Sequence, residues 1–270
     1  MSDFNSDHWL NLLQGACTQA STPFIHLIID QVGCAGRLLA SVRSVEPPIS
    51  WHSLYAGLPE EAAEDVAPLL VRIDLAKPLQ RLWLAGLLQE LQGRHELLAL
   101  VSHWSFKYLG EHLTACLEAT QGGHRGLLRY YDPRLFPLLF KVFDPEQQQR
   151  WLQPAFIWSW LDRDGQPQCL VGEPATFEEA APLRPTELSD AQLETFGCAS
   201  DATLAIPMLS RVLPKDWSAE RRFQVCYAAM LEATREGLIA DSQRLAFVRD
   251  RLHTLLMDQT SDPRKTTSCP

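Results

Sequence analysis

Three aspartates that follow predicted strands are the residues of this chain best suited to chemistry. Asp30, Asp74 and Asp132 each come directly after an apolar run that is typical of a β-strand. If these strands are parallel, the carboxylates lie along one edge of the sheet, where open α/β sheets bind ligands. Clustered carboxylates can hold Mg²⁺ for phosphoryl transfer. Acids at the ends of strands also begin turns and cap helices, so a structural role is the competing interpretation.

Two histidines are further candidates, each with a structural alternative. His112 and Cys116 are four residues apart on a predicted helix and could present two metal ligands on one face. The sequence has no second pair at ligand spacing, and a structural zinc site needs about four ligands, so helix packing is favoured. His103 follows a predicted strand and could act as an acid or base, although an isolated histidine there is usually structural.

The chain lacks the common phosphate-binding and nucleophile motifs. It contains no G-x-x-x-x-G-K-[ST], no G-x-G-x-x-G and no G-x-S-x-G. The glycines at 122, 123 and 126 lead into a predicted strand, whereas a phosphate cradle requires a helix N-terminus. We therefore predict no catalytic residue, no cofactor and no metal site, and we expect that the protein is not an enzyme.

The stretch GLLRYYDPR, over residues 126–134, contains a predicted strand, a stop and a helix start. Asp132 is predicted to be the N-cap of that helix, and Pro133 suits the first helical position because it has no amide to donate. Tyr131 and Phe136 stand at the spacing of a hydrophobic staple. Local structure explains most of this motif. A recognition or catalytic role for Asp132 and Arg134 is the alternative.

Tryptophan is abundant, with eight residues in the chain. Trp151, Trp158 and Trp160 crowd the segment around a short predicted helix and a predicted hairpin. Large aromatic side chains dominate protein cores and are also enriched among interface anchors. Core packing is the favoured interpretation, and a surface for a partner is the alternative.

Predicted strands and helices alternate through the first two thirds of the chain. The apolar runs at 24–29, 69–73 and 97–101 are typical of strands, and amphipathic stretches follow each of them. This alternation predicts an α/β fold with a mixed sheet, some parallel pairing and flanking helices. The Asp-Gly step within residues 162–165 predicts a hairpin turn between two further strands.

The pattern changes period after residue 188, where three amphipathic helices follow one another and predict a small all-helical C-terminal lobe. The predicted organisation is an N-terminal extension (1–23), an α/β domain (24–172), a proline-rich linker (173–188), the helical lobe (189–257) and a disordered tail (258–270).

Charge and composition restrict the partners and the compartment. A formal net charge of −9 and a pI near 5.4 disfavour nucleic acid, whose binding depends on clustered Lys and Arg. The first 36 residues contain no Lys or Arg and therefore no basic signal region, and no uncharged apolar run is long enough for a membrane span. Seven scattered cysteines without a C-x-x-C pair indicate reduced thiols. We expect a soluble cytoplasmic protein without a membrane or nucleic-acid partner.

Several short motifs follow one another in a characteristic order along residues 24–172. They are FIHLIID at 24–30, W-x-x-L-Y-x-G at 51–57, A-P-L-L-V at 67–71, the helix with Trp83, R-Y-Y-D-P-R at 129–134, and D-P-E-Q at 144–147 with Trp151. In this order the chain resembles the cytoplasmic adaptor or chaperone proteins of the bacterial type VI secretion system, a family long catalogued as a domain of unknown function. The family usually has Phe where this chain has Tyr130, which keeps the aromatic character.

The resemblance implies a non-enzymatic adaptor that binds an effector toxin and promotes its loading on the spike tip protein. A metal-dependent phosphoesterase that uses the strand-end carboxylates, or an immunity-type binding protein, is the alternative. The candidate motif or partner-binding residues are charged and aromatic members of the motif region and of the segment that follows it, namely Arg129, Tyr131, Asp132, Arg134, Trp151, Trp158 and Trp160.

Overall fold

The computed structural model describes residues 6–32, 34, 38–176 and 184–261. The chain divides into two compact units, Met1–Ser189 and Asp190–Pro270. The first contains two sheets with helices and the second contains helices, which confirms the predicted α/β class with a helical C-terminal region. Parts of the predicted N-terminal extension (1–5), linker (177–183) and tail (262–270) lie outside the described residues. Within the described ranges, no helix combines the length and the apolar character needed to cross a membrane.

The elements of the first unit alternate along the chain much as the apolar pattern predicts. The three early strands coincide with the predicted runs to within one residue. The elements are α1 (Ser6–Gln19), β1 (Phe24–Ile29), α2 (Leu38–Arg43), β2 (Ser50–Ser53), β3 (Leu69–Asp74), α3 (Pro78–Glu90), β4 (Leu97–Val101), α4 (Phe106–Ala115), β5 (Glu118–Gln121), β6 (His124–Leu127), α5 (Phe136–Val142), α6 (Pro145–Leu152), β7 (Ile157–Leu161), β8 (Pro167–Val171) and β9 (Thr186–Glu187).

The main sheet has six strands in the order β2-β3-β1-β4-β7-β8, and every neighbouring pair is antiparallel. The prediction of parallel pairing among β1, β3 and β4 is therefore wrong. Ile29, at the end of β1, lies opposite Leu69, at the start of β3, so the chain enters β3 from the end at which β1 stops. Strands β3 and β4, which α3 connects, do run in the same direction. They are not paired with each other, because β1 lies between them and is antiparallel to both.

The central strands β1 and β4 are buried on both faces, which explains why their sequences are apolar at every position except His26 and do not alternate. On one face, β1 and β4 pack with α1 and α3 in a core that includes Trp9 and Leu13. The indole N–H of Trp9 donates to the hydroxyl of Ser159 on β7 at 2.7 Å, which fixes α1 on this face. On the other face, the large buried side chains are aromatic and come mainly from α5, α6 and β7.

The second sheet is small, with the order β6-β5-β9. Gly122 and Gly123 both have positive φ, 54° and 84°, and they form the turn of the β5–β6 hairpin and not the end of a helix. The predicted strand over 126–131 is observed earlier, at His124–Leu127. Strand β9 lies within the predicted linker and pairs in parallel with β5.

The hairpin that joins β7 to β8 forms at the predicted Asp-Gly step. The Asp162 carboxylate accepts the backbone N–H groups of Asp164 and Gln166, each at 2.9 Å, and Gly165 has a φ of 72°. Gly172 ends β8 where the chain passes against the backbone of Ala155. A side chain at position 172 would collide with the Ala155 carbonyl oxygen, so the end of β8 is tightly defined.

In the described part of the second unit, residues 190–261, there are three helices, α7 (Asp190–Met208), α8 (Ala219–Arg235) and α9 (Asp241–Ser261). Ser218 caps α8 by accepting the N–H of Arg221, as its position before the apolar stripe predicts. Arg244 on α9 is buried, and its guanidinium donates to Asp201 on α7 and to Thr234 on α8. These bonds join all three helices through one side chain.

Two histidines of the first unit are buried in a neutral form. The Arg72 Nε–H donates to His26 Nε2 at 3.0 Å, and burial together with the charge of Arg72 lowers the pKa of His26 to about 3. His112 Nε2 lies 2.9 Å from the Arg150 carbonyl oxygen, which can only accept, so this nitrogen carries the proton. Burial lowers the pKa of His112 to about 4. Acid should therefore favour the unfolded chain, in which these imidazoles take up protons.

We predict that His112→Gln makes the protein less sensitive to acid. Below about pH 6.5 the unfolded histidine binds a proton that the folded one does not, so the wild-type free energy of unfolding falls as the pH is lowered. Between pH 7 and pH 5 the variant should lose roughly 1 to 2 kcal/mol less than the wild type in urea unfolding. His124→Gln, at an exposed position, is the control and should follow the wild type. Identical pH slopes for His112→Gln and the wild type would contradict this account.

Candidate functional site

One end of the main sheet gathers charged residues from distant parts of the chain. Asp30 follows β1 and Glu96 precedes β4, and the Asp30 N–H donates to the Glu96 carbonyl at 2.9 Å. The segment after β6 brings Arg129, Asp132 and Arg134 to the same end. We call these five residues, Asp30, Glu96, Arg129, Asp132 and Arg134, the charged sheet end.

The ion pair between Arg129 and Asp30 attaches the motif to the sheet. An Arg129 terminal nitrogen lies 2.7 Å from Asp30 Oδ2, across 99 residues of sequence. The Asp30 side chain is only 9% exposed, whereas Arg129 is 52% exposed. Asp30 Oδ1 accepts the N–H of Val32, so this carboxylate also shapes the turn after β1. Asp30 therefore binds one terminal nitrogen of a guanidinium group whose side chain is about half exposed.

Asp132 and Arg134 form a second, two-pronged pair. The Arg134 Nε and a terminal nitrogen donate to the two carboxylate oxygens at 2.9 and 2.7 Å, and the Arg134 backbone N–H also donates to Oδ1 at 2.9 Å. Burial by itself would raise the pKa of Asp132, but the hydrogen bonds and the charge of Arg134 outweigh it and lower that pKa. The hydrogen bond to Asp132 raises the pKa of Arg134, and the charges of Asp30 and Glu96 add to this effect.

The predicted role of Asp132 as a helix N-cap is wrong. Helix α5 begins at Phe136, and residues 132–135 form a turn in which the Asp132 carbonyl accepts the N–H groups of Leu135 and Phe136. The reason is a second proline: a helix that began at Pro133 would carry Pro137 in its interior, where it removes a hydrogen bond and clashes. Starting at Phe136 places Pro137 in the first turn, where it is tolerated.

The aromatic candidates are buried. Tyr131 lies under the Arg129 guanidinium, 5.5 Å from ring centre to charge, and has almost no exposed surface. Trp151 packs against Tyr130 with ring centres 4.5 Å apart, and the Trp158 indole donates to the Trp151 carbonyl. These side chains and Trp160 belong to the core, so the interpretation of the tryptophans as exposed partner anchors is wrong. They are buried because they pack against one another and against Phe136 on one face of the main sheet.

Only two of the candidate residues therefore offer large exposed surface among the described residues. Arg129 is 52% and Arg134 is 44% exposed, whereas the Asp132 side chain is 16% exposed. Each guanidinium is oriented by an internal carboxylate, which reduces the freedom that it would lose on binding. The arrangement is suited to recognition of polar groups on a partner. Sequence reasoning named Asp30 only as a possible metal ligand and missed both its pairing with Arg129 and the presence of Glu96, because these residues are remote from one another in sequence.

The proposed carboxylate cluster does not form. Asp74 lies opposite Phe24, at the start of β1, whereas Asp30 follows the end of β1, so the two are about 20 Å apart along the strand. Asp74 instead caps the turn before α3 by accepting the N–H of Ala76. The magnesium arrangement of Asp30, Asp74 and Asp132 is therefore wrong, because it required parallel strands.

The histidine candidates have structural surroundings. His112 is bonded to the Arg150 carbonyl, and Cys116 is fully buried, with its pKa raised to about 12 by burial. His103 is exposed between β4 and α4. No group of three or more His, Cys, Asp or Glu residues in the described ranges is placed to hold a metal ion.

The comparison with known protein families gives one finding. Residues 25–150 match the model of a family described as a domain of unknown function, DUF4123. The matched region runs from β1 to α6 and includes all five residues of the charged sheet end. No curated protein and no solved structure matches the chain.

We predict that Asp132→Asn lowers the free energy of unfolding by about 0.5 to 1 kcal/mol at pH 7. The amide keeps the turn bond to the Arg134 N–H but loses the ionic pair. Because the folded pKa of Asp132 is lowered, its contribution exists above the unfolded pKa, near 4, and disappears as the pH falls through the folded value. The difference between variant and wild type in urea unfolding should therefore shrink from pH 7 to pH 3. Asp132→Ala, which also loses the turn bond, should cost more. Equal costs would show that the turn bond contributes nothing, and an Asp132→Asn variant as stable as the wild type at pH 7 would show that the charge pair contributes nothing.

Proposed function

We propose that the protein is a non-enzymatic adaptor that binds a type VI secretion effector and promotes its loading on the spike tip protein. The observation that carries this proposal is the match of residues 25–150 to DUF4123. The resemblance of R-Y-Y-D-P-R and the other motifs to the adaptor family supports the same conclusion.

The contacts of the charged sheet end suggest how a partner binds. Arg129 and Arg134 present oriented guanidinium groups at the surface, and buried aromatic side chains beneath them hold the backbone of the motif. Arginine is well suited to this role because its planar group forms paired hydrogen bonds with carboxylates and carbonyls. We propose that acidic or carbonyl-rich surface of the effector or of the spike tip protein contacts these two residues.

The absence of catalysis is part of the proposal. The three carboxylates at the charged sheet end, Asp30, Glu96 and Asp132, are each paired with an arginine. Asp74 lies at the far end of the strand pair. Such carboxylates position cations and are poorly placed to take protons from a substrate.

We propose that the protein acts in the cytoplasm before secretion, where the effector is made.

We expect the neighbouring genes to encode a toxin and a spike tip protein, and co-expression with these two proteins tests the function. We expect the adaptor to raise the soluble yield of the toxin and to be recovered with it in affinity purification. Arg129→Ala with Arg134→Ala should reduce that recovery about tenfold or more, since two charge-assisted contacts are lost. The matched control is Arg125→Ala with Arg249→Ala, which removes the same charge from exposed positions elsewhere.

Three results would contradict the proposal. The first is unchanged toxin recovery with the Arg129 and Arg134 double variant when its folding, followed by circular dichroism, is intact. The second is inhibition of the toxin without any effect on loading, which would indicate an immunity protein. The third is turnover of a phosphodiester or ester by the purified protein that stops when Asp30 is replaced by Asn.

A further inference from the structure

Strand β8 forms an open edge of the main sheet. It is the last strand in the sheet order and pairs on one side with β7. Its sequence, PQCLV, has no charged residue. Natural sheets usually protect such edges with charged side chains, prolines or bulges, because unpaired backbone groups attract other strands.

The register identifies which backbone groups point outward. The Gly172 N–H donates to the Phe156 carbonyl at 3.0 Å, just beyond the end of the paired region. Hydrogen-bonded and non-hydrogen-bonded pairs alternate in antiparallel sheets, so Leu170 also bonds to β7. Cys169 and Val171 therefore direct their N–H and C=O groups away from β7. No other strand of the described residues pairs with this edge.

The side chains at this edge are apolar and accessible. Val171 is 71% exposed, and Cys169 is exposed as well. They lie on the same face of the sheet as Ile157 and Ser159, their direct partners on β7. Pro167 protects only the first position, because it has no N–H to offer. The centre and the far end of the strand have no such protection.

We propose that β8 is a docking edge at which an extended segment of a partner protein adds a further strand. Main-chain hydrogen bonds to Cys169 and Val171 would supply the pairing, as in other cases of strand addition. The segment that fits has β-branched or aromatic residues that continue the apolar face of Val171. This inference goes beyond the adaptor role, and only its link to the charged sheet end rests on the proposed function.

Charge defines a further property of the segment. Glu173 follows the strand, is exposed, and is held in place because its N–H donates to the Leu152 carbonyl at 3.0 Å. A Lys or Arg that flanks the apolar residues of the segment would lie near this carboxylate. The net charge of −9 favours the approach of such a basic segment.

The edge is connected to the proposed binding surface. The turn that leads into β8 carries Arg163, whose guanidinium donates to the Arg134 carbonyl at 3.4 Å. A partner held at the charged sheet end would therefore have the start of β8 beside it. A tethered segment of that partner would reach the edge at a high effective concentration, which compensates for the small area of one added strand.

A second copy of the chain fits the edge less well. Antiparallel pairing about Cys169 would place Val171 opposite Pro167 of the other copy, and the missing proline N–H would remove a hydrogen bond at each end. A pair of five-residue strands also buries far less than the roughly 1,200 Å² of typical stable interfaces. An extended segment of a larger partner is therefore the occupant that we propose.

The experiment uses the full chain and a phage-displayed library of random 12-residue peptides as the probe. Enriched peptides should have alternating β-branched or aromatic residues, a flanking Lys or Arg, and no central proline. Cys169→Pro removes the outward N–H and leaves the bonds to β7 intact, and it should weaken peptide binding about tenfold or more. Cys169→Ala keeps the N–H and should bind as the wild type does.

Further variants keep the test valid if Cys169→Pro fails to fold. Val171→Lys replaces an exposed apolar side chain with a charged one. Charged side chains prevent unwanted pairing at the edge strands of natural sheets, so this variant should also weaken binding. Glu173→Lys should reverse the preference for basic flanks. Peptides that bind Val171→Lys and the wild type equally, or a library from which nothing is enriched, would overturn the proposal.

Hydrogen exchange separates the possible occupants. The Cys169 and Val171 amides should exchange freely in the isolated chain and become protected when an enriched peptide is added. Protection in the isolated, monomeric chain would show that another segment of this protein covers the edge and would overturn the proposal. A concentration-dependent dimer that Cys169→Pro abolishes would assign the edge to a second copy and would equally overturn it. Both results are independent of toxin recovery, so this inference and the adaptor role can fail separately.

Discussion

The antiparallel pairing of β1 on both of its edges is the constraint on which the rest of the first unit depends. Because β1 is bonded to β3 on one side and β4 on the other, its direction determines which strand ends meet. The end of β1 meets the starts of its neighbours, and Asp30 and Glu96 therefore lie side by side. The carboxylate at this position then binds Arg129 and brings in a segment that is 99 residues away in sequence.

Burial determines how the motif at residues 129–134 is used. Its two tyrosines pack into the aromatic core, where Tyr130 also donates its hydroxyl proton to the Leu113 carbonyl at 2.9 Å. Its charged members, Arg129 and Arg134, remain at the surface and are oriented by Asp30 and Asp132. An arginine held in this way keeps a fixed charge and a defined direction, which favours specific recognition over general attraction. The same pairing places an arginine against each of the Asp30 and Asp132 carboxylates.

The main sheet has a protected interior and a less protected margin. Its central strands are covered on both faces, and they lack the alternation of apolar and polar residues that is typical of a half-exposed strand. Strand β8 is different: it carries exposed apolar residues and ends at Gly172, which is held against Ala155. The charged sheet end and the edge of β8 are joined by the hairpin turn with Arg163. Polar contacts and main-chain pairing are thus available on adjacent parts of the same unit.

Much of the fold could be predicted from sequence because strand and helix patterns are local. The apolar runs at 24–29, 69–73 and 97–101, the hairpin before β8 and the cap of α8 at Ser218 all appear as expected. The start of α5 was predicted wrongly at Pro133, because the prediction overlooked Pro137, which would have lain inside that helix. Only the tertiary structure decided strand direction, the partners of Asp30 and the burial of the tryptophans. Periodicity reports which residues are apolar, whereas the direction of a strand and the partner of a charge depend on how the intervening chain returns across the sheet.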